Sequence, residues 1–374
     1  FHQCKKITEL NVSDWDVSSV TTMTFMFSLC LKLTSLDLSK WDVSNVTSFD
    51  SMFQQCYKLT SIGDVSKWNT SKVISMGGIF SDCHSLTSLD VSKWDTKNVT
   101  SMHAMFNACN NLTSLDVSNF NTNNVTNMNN MFGGCTKLTQ LDVSKWNTSK
   151  VNDIRDMFAN CSSLTELDVS KWNTSKVSTP ARAFKGCVSL TQLDISNWDT
   201  SNMINFDGML NGIKIVELDL SKWNISKANY IHQLFYNCTE LKYLNLSGWD
   251  TKNIINIYSI FNNCPSLVTL DISNFDVTNV INYSDMFTLA TSLRYIKCNN
   301  IDTINFIAPF IYSKTPDTRG IILCEQEDLS SIDVNTLSSK NWIVTNESTK
   351  VAEYVYDSNT WNSLIPIFNK EFID

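Results

Sequence analysis

The sequence predicts an α/β repeat solenoid with one short parallel strand and one short helix per 26-residue unit, closed by a C-terminal cap. Three observations predict it. First, an aromatic residue recurs at Trp15, Trp41, Trp68, Trp94, Phe120, Trp146, Trp172, Trp198, Trp223, Trp249 and Phe275. The step is 26 residues, with one step of 27 before Trp68 and one of 25 before Trp223. A fixed period of this size marks stacked units, each burying its apolar face against its neighbours. Second, Leu and Val alternate with polar residues ahead of each aromatic. Third, a stripe of Met, Phe and Cys with helical spacing follows it.

The elements follow in chain order. In the unit of Trp94, Leu89 and Val91 alternate with Asp90 and Ser92, the period of a half-buried strand. Asp or Asn stands directly after the aromatic in all eleven units, as in Asp95 and Asn121, where its short side chain favours a corner. Met102, Met105, Phe106 and Cys109 then sit at i, i+3, i+4 and i+7, one face of a two-turn helix. Ser, Thr, Asn or Asp precedes that stripe in ten of eleven units, from Thr22 to Asn282, with Tyr230 the exception. These read as N-caps, and Pro180 after Thr179 fits the first helical position. Gly63 is the expected insertion. The expected deletion lies near Asn211 and Gly212, where that unit also loses its Cys.

The repeat fades after Leu293, so the reading places the solenoid at 1–296 and a decayed unit plus cap or attachment module at 297–374. Within the latter, Tyr295–Phe306 reads as a worn unit. Strands are expected over Gly320–Cys324, Trp342–Thr345 and Val351–Tyr356, and a helical stretch over Ser358–Phe372. Position 1 is Phe, and "FHQC" matches the middle of a unit, as in "FQQC" at Phe53 to Cys56. Further units and any export signal are therefore expected upstream.

Composition narrows the function classes. The chain has 43% hydrophobic residues, 18% charged residues and a net charge of -8, which argues against nucleic acid as a partner because phosphate binding needs clustered Lys and Arg. No apolar run reaches the length of a membrane span. The four His share no column, and no H-E-x-x-H, G-x-S-x-G or phosphate-cradling Gly loop is present, so no catalytic or cofactor-binding residue is named. The Cys column (Cys4, Cys30, Cys56, Cys83, Cys109, Cys135, Cys161, Cys187, Cys238, Cys264) lacks the close pairs of a zinc site. Stacked strands bring equivalent side chains to about 4.8 Å, wider than the roughly 3.8 Å between bridged Cβ atoms. Small buried hydrophobes are the simpler reading. The aromatic column is read as corner packing rather than an exposed platform for sugars.

The Asp column is the candidate partner-binding site: Asp37, Asp64, Asp90, Asp116, Asp142, Asp168, Asp194 and Asp219, continued by Asp271, with Asn11 and Asn245 substituting. On an alternating strand these carboxylates face away from Leu and Val, toward the open face of the sheet. Ser two residues on, and Lys at Lys40, Lys67, Lys93, Lys145, Lys171 and Lys222, are the expected compensation for their mutual repulsion. No metal is assigned to them.

These units read L-x-x-L-D-[VL]-S-x-[WF]-[DN]-[TV]-S-x-V-x-x-M-x-x-M-F-x-x-C-x-x-L over residues 1 to about 296. In this the chain resembles the BspA-like leucine-rich-repeat surface proteins. The resemblance implies a leucine-rich-repeat-like solenoid, an exported or surface-displayed location, and adhesion or recognition without catalysis. The expected function is extracellular recognition of a protein or glycan on a host or neighbouring cell. The alternative is a structural or decoration component of a phage fibre, virion or surface filament, with the solenoid as spacer and assembly partners reached through 297–374.

Overall fold

A computed structural model describes residues 1–346 of the 374-residue chain; the strand and helix expected over 351–356 and 358–372 lie outside the described residues. The described chain divides into two compact units, Phe1–Trp198 and the part from Asp199 on. Both are built from the same repeating coil, and the fold is a leucine-rich-repeat-like solenoid with an all-parallel strand layer.

In the second unit the strand layer is regular. β1 (Glu217–Asp219), β2 (Tyr243–Asn245), β3 (Thr269–Asp271), β4 (Tyr295–Lys297), β5 (Gly320–Leu323) and β6 (Trp342–Thr345) form one parallel sheet in sequence order. Register is strict, with Leu218, Leu244, Leu270, Ile296 and Ile322 aligned and facing the core. The expected strands at 320–324 and 342–345 are β5 and β6, and the worn unit supplies β4 and α1 (Ile301–Ile307). A second helix, α2 (Val334–Ser339), precedes β6. In the first unit the same layer is held by isolated parallel bridges, such as Glu9 to Ser35 and Ser35 to Ser61, and by Leu36 N–H donating to Ser61 C=O at 3.0 Å.

The expected helix of each solenoid unit takes a different form. Across 102–109 the backbone makes tight turns, not an α-helix. Met105, Asn107 and Cys109 N–H donate three residues back, whereas Met102, Ala104, Phe106 and Ala108 N–H donate sideways to Asn127, Asn129, Met131 and Gly133 carbonyls at 2.6–3.0 Å. Donors thus alternate between the turn and the next unit. The alternation requires a left-handed residue every fourth position, seen at Ala104 and Ala108, Asn130 and Gly134, Asp156 and Asn160, and Arg182 and Gly186. An apolar stripe at i, i+3, i+4, i+7 points inward in either geometry, so spacing alone could not separate them.

The residues read as N-caps open this layer as a second parallel ladder. Thr22, Ser48, Ser75, Ser101, Asn127, Asp153 and Thr179 bridge in succession, as do Asn205, Tyr230, Asn256 and Asn282 in the second unit. Their capping chemistry survives: Asn127 Oδ1 accepts Asn129 N–H at 2.9 Å, and Asp153 Oδ1 accepts Arg155 N–H at 3.0 Å.

This layer gives a prediction whose sign separates the two geometries. In a helix interior Ala→Gly costs about 1 kcal/mol. At Ala108, with φ of 55°, Ala108→Gly is expected to raise stability by roughly 0.5–1 kcal/mol by relieving a left-handed alanine. Chemical denaturation of the two proteins checks it, and a loss of stability would restore the helix.

Irregular steps are absorbed locally. Gly63, the insertion, sits at φ 78°, and a Cβ there would lie 2.6 Å from the Asp37 carboxylate oxygen. The deletion falls slightly later than expected. Ile213 occupies the missing Cys place, buried and donating its N–H to Leu210, so the lost residue lies between Ile213 and Ile215.

Candidate functional site

Three fixed columns form the core rather than a site. The aromatic column is buried from Trp41 on, while Trp15 is 42% exposed. Trp146 and Trp172 stack at 6.4 Å and 4°, and Trp172 Nε1 donates to Val143 C=O at 3.3 Å. The inward Phe residues stack beside them, Phe80, Phe106 and Phe132 at 5.8–5.9 Å. Each cysteine is free, and nearly all are buried. Cys109 Sγ–H donates to Phe80 C=O, Cys135 to Phe106 and Cys161 to Phe132 at 3.1–3.3 Å. Burial pushes the Cys135 and Cys187 thiols up to about 12.

The Asp column lies where the alternation places it, on the outer face of the strand layer. Asp90 Oδ1 accepts both Ser92 N–H at 3.0 Å and Ser92 Oγ–H at 2.7 Å. The same pair of bonds recurs at Asp37, Asp64, Asp116, Asp142, Asp168 and Asp194, and Asp219 accepts Ser221 N–H. The Ser hydroxyl, ahead of the backbone bond, holds Asp37, Asp64, Asp90, Asp142 and Asp168 below the usual carboxylate range. The Ser half of the expected compensation is therefore the closer one. The expected lysines act at longer range, and Lys40 pairs with Asp14 at 3.3 Å instead.

In the first unit the column lines shallow hollows along the outer strand face. Asp90, Asp116 and Asp142, with Ser92, Ser114 and Gln140, surround about 530 Å3. Asp142 and Asp168 with Gln140 and Glu166 border about 320 Å3, and Asp168 and Asp194 with Glu166 and Gln192 about 550 Å3. A further hollow of about 550 Å3 lies between Asn11 and Asp37. Asp64 lies beside the Gly63 insertion and borders none of these four hollows. In the second unit Asp219 is exposed, whereas Asp271 is buried and its carboxyl raised by that burial.

Sequence reasoning missed the groove residues that vary. Ser114, Gln140, Glu166 and Gln192 stand two residues before an Asp, so the strand alternation already assigned them to the same face. Ala104, Asn130, Asp156 and Gln233, at equivalent places in their turns, also differ from copy to copy. All four have positive φ, which limits what can replace them. Among the described residues no group of three or more His, Cys, Asp or Glu is placed to hold a metal ion, and no helix is long and apolar enough to cross a membrane.

No curated protein matches the chain. Among solved structures, a leucine-rich repeat protein from Bacteroides ovatus is 14% identical, covering 79% of this chain and 80% of its own, with a TM-score of 0.38. A leucine-rich cell surface protein from Faecalibacterium prausnitzii is 15% identical over 94% and 86%, with a TM-score of 0.35. The functional domain of InlJ from Listeria monocytogenes, described as including a cysteine ladder, is 17% identical over 87% and 71%, with a TM-score of 0.21. One family model matches at residues 1–88, 75–192, 164–265 and 231–307, and by those matches the chain belongs to the family described as "Mycoplasma protein of unknown function, DUF285".

Proposed function

We propose that this chain is a non-enzymatic recognition protein of the BspA-like kind, displayed outside the cell, whose outer strand face grips a protein or glycan on another cell. The carrying observation is the groove along Asp90, Asp116, Asp142, Asp168 and Asp194. Its fixed Asp–Ser pairs present one carboxylate oxygen each, while the second is free of the Ser bonds that orient it. Beside them, Ser114, Gln140, Glu166 and Gln192 change from copy to copy. A constant acceptor row with a variable neighbour row suits selective binding of hydroxyl, amide or cationic groups. Residues 297–374 are read as the cap of the array.

Replacing Asp116, Asp142 and Asp168 together by Asn tests the reading. Asn keeps the oxygen that accepts the Ser bonds and removes the charge. Binding of the labelled chain to cultured epithelial cells and to a glycan array should fall about tenfold or more, as expected for losing charge-assisted contacts. Thermal stability should move little, because exposed carboxylates contribute weakly. Unchanged binding by the triple variant would move recognition off this face.

A further inference from the structure

The second unit holds two cations in place without neutralising them. Arg294 stands directly before β4, and Lys314 stands in the chain that leads to β5. Both are half-buried. Their backbones are fixed from two sides. Arg294 N–H donates to Val268 C=O at 3.0 Å, and its C=O accepts Ile321 N–H at 2.7 Å. Lys314 N–H donates to Lys340 C=O at 2.8 Å, and its C=O accepts the Asn341 side-chain amide. The side chains are less well served. The Arg294 guanidinium lies 5.6 Å from the Tyr295 ring centroid, and its Nε is buried with no hydrogen-bond partner. The Lys314 ammonium donates to Thr291 C=O at 2.7 Å and lies 6.0 Å from the Trp342 ring centroid. Among the described residues neither forms an ion pair with an Asp or Glu. By contrast, Arg155 pairs with Asp153 at 2.6 Å, and the Lys340 ammonium donates to both Pro309 and Ile311 carbonyls. Burial, and after it the Arg294 charge, pulls the Lys314 ammonium down to about 8. Like charges within reach of each other, one with a buried unpaired donor, cost free energy that an aromatic face offsets only in part.

We propose that Arg294 and Lys314 together bind an oxyanion, the sulfate, phosphate or carboxylate group of a ligand. The two side chains have the chemistry of such a site. A guanidinium presents its donors as a planar fork that matches two oxygens, and the buried Nε of Arg294 is one prong. An ammonium has three donors; Thr291 takes one from Lys314, which leaves donors for a third oxygen. Because both backbones are already fixed, little further ordering opposes binding. The anion would supply the acceptor that Arg294 Nε lacks and the negative charge that neither cation finds among the described residues. No residue of the Asp column takes part, so the inference does not rest on the outer strand face as a recognition surface. A free inorganic anion and the anionic group of a glycan offer the same oxygens, and competition between them separates the two sources.

Amine acetylation of the full chain, read by mass spectrometry at Lys314, tests this with exposed Lys242 as internal reference. Sodium sulfate at about 20 mM is expected to slow Lys314 about fivefold, as for a dissociation constant of about 5 mM, and to leave Lys242 unchanged. Sodium chloride at the same ionic strength is expected to do neither. No slowing by sulfate overturns the proposal, and so does equal slowing by chloride, which would be charge screening. Arg294→Gln is expected to abolish the sulfate effect; protection that persists in this variant takes the anion off Arg294 and overturns the paired site. The comparison of sulfate with chloride on the unaltered chain decides the matter even where the variant fails to fold. A sulfated heparin oligosaccharide supplies the last arm. Protection at about a hundredfold lower concentration than sulfate supports the site with a glycan as the source of the anion, and protection no better than that of sulfate supports it with a free ion.

Discussion

Phe106→Ala is expected to remove about 3–5 kcal/mol of stability, the cost of deleting a buried aromatic ring. Phe106 is wholly buried and has a ring stacked on each side, at 5.9 Å to Phe80 and 5.8 Å to Phe132. The neighbours cannot collapse into the gap, because their own backbones are fixed, Phe80 N–H donating to Met105 C=O and Phe132 N–H to Met157 C=O. Trp172→Phe provides the contrast. It keeps a stacked ring but removes the indole bond to the Val143 carbonyl, which still accepts Trp146 N–H, at a cost of about 1 kcal/mol. The chain already carries that arrangement at Phe120, buried in the same column. Chemical denaturation followed by hydrogen exchange at 80–132 measures both. A Phe106→Ala shift no larger than that of Trp172→Phe would show that the ring stack adds little.

Alkali is expected to unfold the first unit over a narrow range. The buried thiols of Cys56, Cys135 and Cys187 are pushed up to about 12, and those of Cys83, Cys109 and Cys161 also well above their usual value, all by desolvation. A raised folded-state pKa means the stability is fully present below the unfolded value, near 9, and is lost as pH rises. Unfolding then releases protons, and each thiol costs about 1.4 kcal/mol per pH unit above 9. Six such thiols in one unit steepen that loss together. Melting temperatures at pH 7, 9 and 10 check this under reducing conditions. Cys109→Ala with Cys135→Ala should flatten the slope by a third. An unaltered slope would place the alkaline loss elsewhere.

The strand layer and the aromatic and Cys columns were legible because stacking repeats the same demand at every copy. A residue type held at Trp94, Phe120 and Trp146 can only face its own equivalents. The turn layer was not legible from apolar spacing, which spans eight residues and fits helix and turns alike. Its signature was the glycine and Asx content of the left-handed positions, at Gly78, Asp82, Asn130, Gly134, Asn160 and Gly186. Ala104 and Ala108 hid that signature in the unit that reads most like a helix. Ser48, Asn127 and Asp153, read as helix caps, accept a backbone N–H two residues on although no helix follows, whereas Ser75 and Ser101 bond side chains instead, and the lateral bridges these positions open leave no trace in side-chain chemistry. The groove was half legible. Asp90 to Asp194 stand out as a column, while Gln140 and Glu166 escaped notice because they differ from copy to copy.

Past its opening bridge, each turn stretch sends its sideways bonds one way, from an N–H in one unit to a carbonyl in the following unit, as Ala104, Phe106 and Ala108 do. Each coil is therefore a socket on one side and a plug on the other, identical in pitch to every other coil. A gene that duplicates or drops 26 codons within the array yields a coil whose plug already fits, with no compensating substitution. Odd lengths have no such freedom: the extra residue at Gly63 fits only because it lacks a Cβ beside Asp37. The number of coils is thus a quantity that heredity can adjust in whole steps, and with it the length of the outer face.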